Sequence, residues 1–244
     1  MVEFTELDFT NKTVLEVGTG RGGTTIKLAK ALKNFREAKL ITTDIYDGNF
    51  KEVEKETKEY NVDIRFIKTD GCELKDIEKG SIDFLVCNYT LCAINSNSGS
   101  ETIALNRFKE VLKPGGILYI EEEYPLKFVD NTMQQIWSRK WQLLRGANIL
   151  LGQLPYNEID PRVLEKILHI LGFKNIQWES SSHLIIGDDS LEFFKYRFSN
   201  ILNRLDNHQI VEGLRQEGEI LENYAKEVGG MEIPIYKMTA RKEI

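Results

Sequence analysis

The sequence has few cysteines, and their spacing favours neither a disulfide scaffold nor a metal site. Its 244 residues contain three, Cys72, Cys87 and Cys92, and no two of them form a Cys-x-x-Cys pair. An odd number without such a pair disfavours both a disulfide framework and a structural zinc site. We therefore expect a reduced, cytoplasmic environment and no bound metal.

Long apolar runs and concentrated positive charge are also missing. No stretch approaches the roughly 20 apolar residues of a membrane-spanning helix, and residues 1–6 lack the basic and apolar regions of a secretory signal. The net charge is −6, with 32 basic residues scattered along the chain, so no electrostatic footprint for nucleic acid is visible. We expect no membrane or nucleic-acid partner, and a monomer or homodimer.

One stretch near the start has the strongest local pattern. Val14, Leu15 and Val17 form an apolar run around Glu16, which is typical of a buried strand. Four glycines follow within the six positions 18–23, and residues 24–35 then carry apolar side chains at helical spacing. The pattern predicts a strand, a glycine turn and a helix, in which bare backbone and the helix N-terminus approach a ligand.

Two kinds of ligand fit this turn, besides the interpretation that it is a plain turn. Gly18-x-Gly20-x-x-Gly23 matches the dinucleotide fingerprint of NAD(P)-dependent oxidoreductases. Glu16-x-Gly18-x-Gly20-x-Gly22 instead resembles the nucleoside loop of class I S-adenosylmethionine (SAM) methyltransferases. Glu16 favours the second, because a carboxylate beside the site suits a cationic ligand better than a diphosphate.

Two acidic residues follow later strands. Asp44 ends a predicted strand over residues 39–44, 22 residues after Gly22, close to the ~20 expected for a carboxylate that holds ribose hydroxyls. Asp70-Gly71 follows a predicted strand over residues 63–68 and is similar to the family's contact with the adenine amine. The structural alternatives are helix capping by Asp44 and an ordinary Asp-Gly turn.

The sequence Leu-Lys-Pro-Gly-Gly at residues 112–116 is the second strong resemblance. It predicts the end of an amphipathic helix over residues 100–112 and a turn into a fifth strand over residues 117–121. The closing stretch, residues 233–241, resembles the antiparallel last strand of the family. The resemblance implies one α/β domain over residues 1–244, with a doubly wound, seven-stranded, mostly parallel sheet, an antiparallel last strand and helices on both faces.

Two helical additions depart from the simplest form of this fold. Residues 124–159 follow the fifth strand, and residues 187–230 separate strands six and seven. Only about a dozen residues precede the first strand, too few for a substantial N-terminal cap. We therefore expect the additions to cover a substrate.

The resemblance implies SAM as cofactor and S-adenosylhomocysteine as product. The cofactor contacts that it implies are Glu16, Gly18, Thr19, Gly20, Gly22, Asp44, Ile45, Asp70, Gly71 and Asn88. We expect Glu121, Glu122 and Glu123 to be solvated or to face the substrate rather than to hold a metal. Predicted substrate-pocket residues are Tyr89, Glu122, Tyr124, Trp137, Trp141 and Tyr156, with local core packing as the alternative for aromatic residues on the inserted helices.

The expected reaction is methyl transfer to a small-molecule acceptor by in-line displacement. No general base can be named, and His183 is the one histidine that we would test. Three alternatives stay open: a methyltransferase acting on a protein or RNA, a SAM-binding regulatory module without turnover, and an NAD(P)-binding oxidoreductase.

Overall fold

The computed structural model describes residues 7–126, 129 and 131–243. The expectation about a secretory signal concerns residues 1–6, which lie outside the described residues. Residues 127, 128 and 130 of the predicted addition over 124–159 lie outside them as well. In the described part of the chain, no helix combines the length and apolar character needed to cross a bilayer.

Seven strands form one sheet, in the order β3-β2-β1-β4-β5-β7-β6. They are β1 (Thr13–Val17), β2 (Lys39–Asp44), β3 (Asp63–Lys68), β4 (Ile82–Asn88), β5 (Leu112–Glu123), β6 (Phe173–Ile186) and β7 (Gly230–Lys242). The pairs β1–β2, β1–β4, β2–β3 and β4–β5 are parallel, and the last strand is antiparallel to the other six. The predicted fold class is confirmed.

The helices connect these strands. They are α1 (Gly23–Leu32), α2 (Phe50–Thr57), α3 (Leu91–Ile94), α4 (Ser100–Val111), α5 (Thr132–Leu150), α6 (Pro161–Ile170), α7 (Ser199–Leu202) and α8 (His208–Val228). Single turns of 3-10 helix lie at Lys58–Tyr60 and Gly187–Leu191, and a π-helical segment spans Phe193–Phe198. The second predicted addition, residues 187–230, therefore contains a 3-10 turn, the π-helical segment, α7 and α8.

The fifth strand differs from its prediction. The Leu-Lys-Pro-Gly-Gly segment is part of β5 rather than a turn that precedes it. Between the Ile82–Leu112 and Phe84–Ile117 pairs, β5 has four residues where β4 has one. This irregularity accommodates a proline and two glycines within the strand, because the extra residues leave the regular ladder.

The chain divides into two compact units. The first comprises residues 1–122, 159–179 and 237–244, and the second comprises residues 123–158 and 180–236. A core of the first unit is formed by Phe9, Val14, Leu28, Leu32, Ala38, Leu40, Phe84, Val86 and Tyr119. The second unit has clusters of its own, one around Trp137, Phe194 and Leu221 and another around Leu144, Phe198 and Leu202.

Candidate functional site

The glycine loop lies between β1 and α1, as predicted. The backbone N–H groups of Gly18 and Thr19 both donate to the carbonyl of Thr43, at 2.8 and 3.0 Å. Gly18, Gly20 and Gly22 have φ angles of +93°, +52° and +86°. Residues other than glycine rarely adopt positive φ angles of this kind. The loop is therefore held against the end of β2 by backbone hydrogen bonds.

The three glycines are required for different reasons. A Cβ on Gly18 would lie 1.9 Å from Oγ1 of Thr90, and one on Gly22 would lie 2.6 Å from Cγ2 of Val53. A Cβ on Gly20 would meet no atom within 4 Å. Gly18 and Gly22 thus avoid neighbours in the chain, and Gly20 marks the open side of the loop.

Asp44 faces this loop from the end of β2. Its Oδ2 accepts a hydrogen bond from the N–H of Gly20 at 2.8 Å, and its Oδ1 accepts one from the N–H of Tyr46 at 2.9 Å. The amide of Asn49 donates to the carbonyl of Gly20 at 2.8 Å. Sequence reasoning missed Asn49, because no motif marks it. Each oxygen of Asp44 retains capacity to accept from a ligand hydroxyl.

Glu16 is buried, with 1% of its surface exposed. Its Oε2 accepts hydrogen bonds from the hydroxyls of Thr25 and Thr42, each at 2.7 Å, and the hydroxyls of Thr42 and Thr19 lie 2.6 Å apart. Its Oε1 is buried and has no hydrogen-bond partner among the described residues. Thr25 and Thr42 are functional neighbours that the sequence did not indicate.

Burial raises the pKa of Glu16 to about 7, although the hydrogen bonds from Thr25 and Thr42 act in the opposite direction. The negative charge of Asp44 raises this pKa slightly further. A carboxyl group with this pKa changes its charge near neutral pH. A cation placed beside Oε1 would favour the charged form.

Asp70 follows β3 and is partly buried. Its Oδ1 accepts from the N–H of Cys72 at 2.7 Å, and its carbonyl accepts from the N–H groups of Glu73 and Leu74. A Cβ on Gly71 would lie 2.9 Å from Cδ1 of Ile94. Asp70 therefore opens a hydrogen-bonded turn, and its predicted role at adenine stays a prediction.

The end of β4 brings further polar groups together. The amide nitrogen of Asn88 lies 3.4 Å from Oγ1 of Thr24, while its Oδ1 is buried without a hydrogen-bond partner in the described part of the chain. Tyr89 has a φ of +50° and donates its hydroxyl to Oε1 of Glu121 at 2.5 Å. The hydroxyl of Tyr119 donates to the other oxygen of Glu121 at 3.1 Å.

The glutamates at the end of β5 differ from their predicted environment. Glu122 is 1% exposed, and its Oε1 accepts from the N–H groups of Leu91 and Cys92 at 2.7 and 3.3 Å. It caps the start of α3 and is not solvated, and its predicted place in the substrate pocket stays a prediction. Glu123 accepts from Nε1 of Trp137 at 2.7 Å, and desolvation raises its pKa. Glu121 is partly exposed.

The other predicted substrate residues lie in varied environments. Trp137 is fully buried in a cluster of the second unit, which agrees with the core-packing alternative. The hydroxyl of Tyr124 lies 2.5 Å from that of Ser180. Tyr156 is 44% exposed, and His183 is exposed on β6.

Two further features concern the expected cofactor and metal. Ile45, which follows Asp44, is 51% exposed, so its side chain is accessible beside the loop. Within the described ranges, no three His, Cys, Asp or Glu side chains form a group able to hold a metal ion.

The family model that matches this sequence is described as a methyltransferase domain and covers residues 14–116. These residues include β1, the glycine loop, Asp44, Asp70 and the start of β5. Over these residues the chain is similar to the methyltransferase-domain family, and its sheet matches the Rossmann-like methyltransferase fold. SAM is the cofactor of this family.

A curated relative and two solved structures illustrate the similarity. Phosphoethanolamine N-methyltransferase 1 of Triticum aestivum is 34% identical over 116 residues, covering 47% of this chain and 22% of that protein. The YcgJ protein of Bacillus subtilis has 15% identity and a TM-score of 0.62, covering 98% of this chain and 95% of that one.

The second solved structure is phosphoethanolamine N-methyltransferase 2 of Haemonchus contortus, in complex with phosphomonomethylethanolamine and S-adenosylhomocysteine. It has 17% identity and a TM-score of 0.56, and the alignment covers 96% of this chain and 49% of that one. This chain spans between 4% and 22% of the length of the curated relatives that it matches.

Proposed function

We propose that the protein transfers a methyl group from SAM to a small-molecule acceptor. The observation that carries the proposal is Oε1 of Glu16, which is buried near the end of β1 and has no hydrogen-bond partner among the described residues, while the glycine loop that follows is open at Gly20. A buried carboxylate oxygen without a donor is unfavourable, and a cationic ligand group would satisfy it. The residues present therefore fit the cofactor of the family.

The cofactor contacts follow from the groups that remain available. Asp44 would accept hydrogen bonds from ribose hydroxyls, since its Oδ2 lies against the loop at Gly20 and both of its oxygens have further capacity to accept. Glu16 would interact with the amino-acid end, and Asp70 with the adenine amine. When bound, SAM would supply a methyl group activated on its sulfonium, and S-adenosylhomocysteine would leave as the acceptor forms its bond to the methyl carbon.

The chain would then act mainly by positioning the acceptor and excluding water. Holding two reactants in line can increase the rate of their reaction by a very large factor. No general base is assigned, because His183 is exposed on β6 and no described contact gives it a catalytic partner. An acceptor that arrives as an amine or a thiolate would need none.

A small-molecule acceptor is supported by two observations. The net charge of −6 disfavours nucleic acid, and a curated relative is named for methylation of phosphoethanolamine. The idea that the helical additions cover the acceptor stays a prediction. If it holds, SAM and an acceptor together will slow hydrogen exchange over residues 131–151 and 187–230, whereas unchanged exchange would contradict it.

The test is acceptor-dependent formation of S-adenosylhomocysteine. The purified protein is incubated with SAM and a panel of small amines, thiols and hydroxyl compounds, with Asp44→Ala as the control for cofactor-dependent turnover. Product with at least one small acceptor supports the proposal. Product only with RNA or protein, or SAM binding without product from any acceptor, would favour the corresponding alternative. A thermal shift with NADH but none with SAM would favour an oxidoreductase.

A further inference from the structure

The second unit contains a buried cation that has no carboxylate at ion-pair distance among the described residues. Lys140 on α5 is 8% exposed, and its Nζ lies 5.1 Å from the ring centroid of Trp141 and 5.3 Å from that of Phe193. Among residues 7–126, 129 and 131–243, no hydrogen bond or ion pair reaches this nitrogen. Aromatic faces attract a cation, yet three strong N–H donors are left for another acceptor.

A second cation lies beside the same indole. The guanidinium carbon of Arg197, on the π-helical segment, is 5.6 Å from the ring centroid of Trp141. No ion pair to Arg197 occurs in the described part of the chain either. Arg197 is close enough for its charge to lower the pKa of Lys140. Two positive groups therefore converge on one aromatic ring.

The carboxylates of this cluster are already engaged. Glu158 forms an ion pair with Arg145, and its side chain is 4% exposed. Glu123 accepts a hydrogen bond from Trp137 and acts on Lys140 only at longer range. Among the described residues, the charges that act on Lys140 are therefore one carboxylate, Glu123, and one further cation, Arg197. Burial lowers the pKa of Lys140 to about 8, although the negative charge of Glu123 acts in the opposite direction.

We propose that Lys140 and Arg197 bind the carboxylate or phosphate group of a small molecule. Such a group would supply a negative charge and accept hydrogen bonds from both cations. Hydrogen bonds between ionised partners are shorter and stronger than neutral ones, and a guanidinium matches the planar pair of oxygens in these groups. The π-helical segment is consistent with this role, because such segments are frequent at functional sites. The inference concerns the second unit alone and does not depend on methyl transfer.

The test is calorimetric titration of the full chain with inorganic phosphate and, separately, with acetate, at pH 7 and constant ionic strength. Saturable binding of phosphate alone assigns a phosphate ligand, and binding of acetate, alone or with phosphate, assigns a carboxylate ligand. Arg197→Met and Lys140→Met are each expected to weaken binding at least tenfold. Lys195→Met is the matched control, because Lys195 is an exposed cation on the same segment, and it is expected to bind as the unaltered chain does.

Arg197 is exposed, so Arg197→Met is expected to fold. It therefore tests the proposal even if Lys140→Met fails to fold. A second readout is the NMR titration of the ε-methylene of Lys140, whose pKa should rise above its value near 8 when the anion is bound. The proposal is overturned if neither anion binds saturably, if Arg197→Met binds as tightly as the unaltered chain, or if the Lys140 titration does not move.

Discussion

Asp44 and Gly20 are joined by a hydrogen bond of 2.8 Å, from the backbone N–H of Gly20 to Oδ2 of Asp44. This contact connects the end of β2 to the glycine loop that follows β1, two strands that pair along five residues. The two sequence features that indicate a nucleoside site are therefore in direct contact. A ligand meets groups that are already held in place, which lowers the entropic cost of binding.

Single glycine substitutions should distinguish the role of the loop in SAM binding from its role in the stability of the fold. Gly20→Ala places its Cβ in open space, so its cost to folding is the left-handed backbone, about 1 kcal/mol. Gly22→Ala adds a 2.6 Å approach to Val53 and should lower the melting temperature further. We expect Gly20→Ala to remain folded and to bind SAM more weakly. Thermal unfolding and calorimetry measure the two effects, and a Gly20→Ala protein with undiminished SAM affinity would contradict this role for Gly20.

The carboxyl group of Glu16 should make stability depend on pH. Burial raises its pKa from 4.5 to about 7, so between these values the folded state binds more protons than the unfolded state. The free energy of unfolding should therefore fall as pH rises from about 4.5 to 7, by about 3 kcal/mol from this group. Denaturant unfolding at several pH values measures the slope.

Glu16→Gln is the matched variant for this effect. The amide oxygen can still accept hydrogen bonds from Thr25 and Thr42, but the group no longer titrates. We expect the pH dependence of stability between 4.5 and 7 to diminish in this variant. An identical slope in the two proteins would show that another group is responsible.

Glu122 should contribute to stability because it caps the start of α3. Glu122→Ala would leave the buried N–H groups of Leu91 and Cys92 without their acceptor, at a cost of about 1–3 kcal/mol in the free energy of unfolding. Glu122→Gln retains an acceptor oxygen and should lose less. Urea unfolding compares the three proteins. Equal stability of Glu122→Ala and the unaltered chain would disprove the capping role.

The elements of the fold could be predicted because their signals are local. The apolar run around Glu16 and the glycines after it specify a strand and a tight turn within a dozen residues. The extension of β5 could not be predicted from proline and glycine alone. It depends on the pairing of Ile82 and Phe84 with residues on both sides of the segment, which is tertiary information.

The candidate site was predictable in composition but not in detail. The motif placed Glu16 and Asp44 at one edge of the sheet, and the structure brings both to the glycine loop. The partners of Glu16 lie 9 and 26 residues away in sequence, at Thr25 and Thr42, so no short pattern reveals them. Glu122 was expected to face solvent or substrate, because its position on a strand end does not show that α3, which follows the neighbouring strand β4, places N–H groups beside it.

Calorimetric titration of SAM into the unaltered chain, Asp44→Ala and Asp47→Ala tests the central claim most directly. Asp47 is a nearby exposed carboxylate paired with Lys68, so its replacement controls for a change in surface charge. We expect saturable binding to the unaltered chain and to Asp47→Ala, and affinity weaker by about 1–3 kcal/mol for Asp44→Ala. Absence of SAM binding, or equal affinity in all three proteins, would contradict a SAM site at the glycine loop.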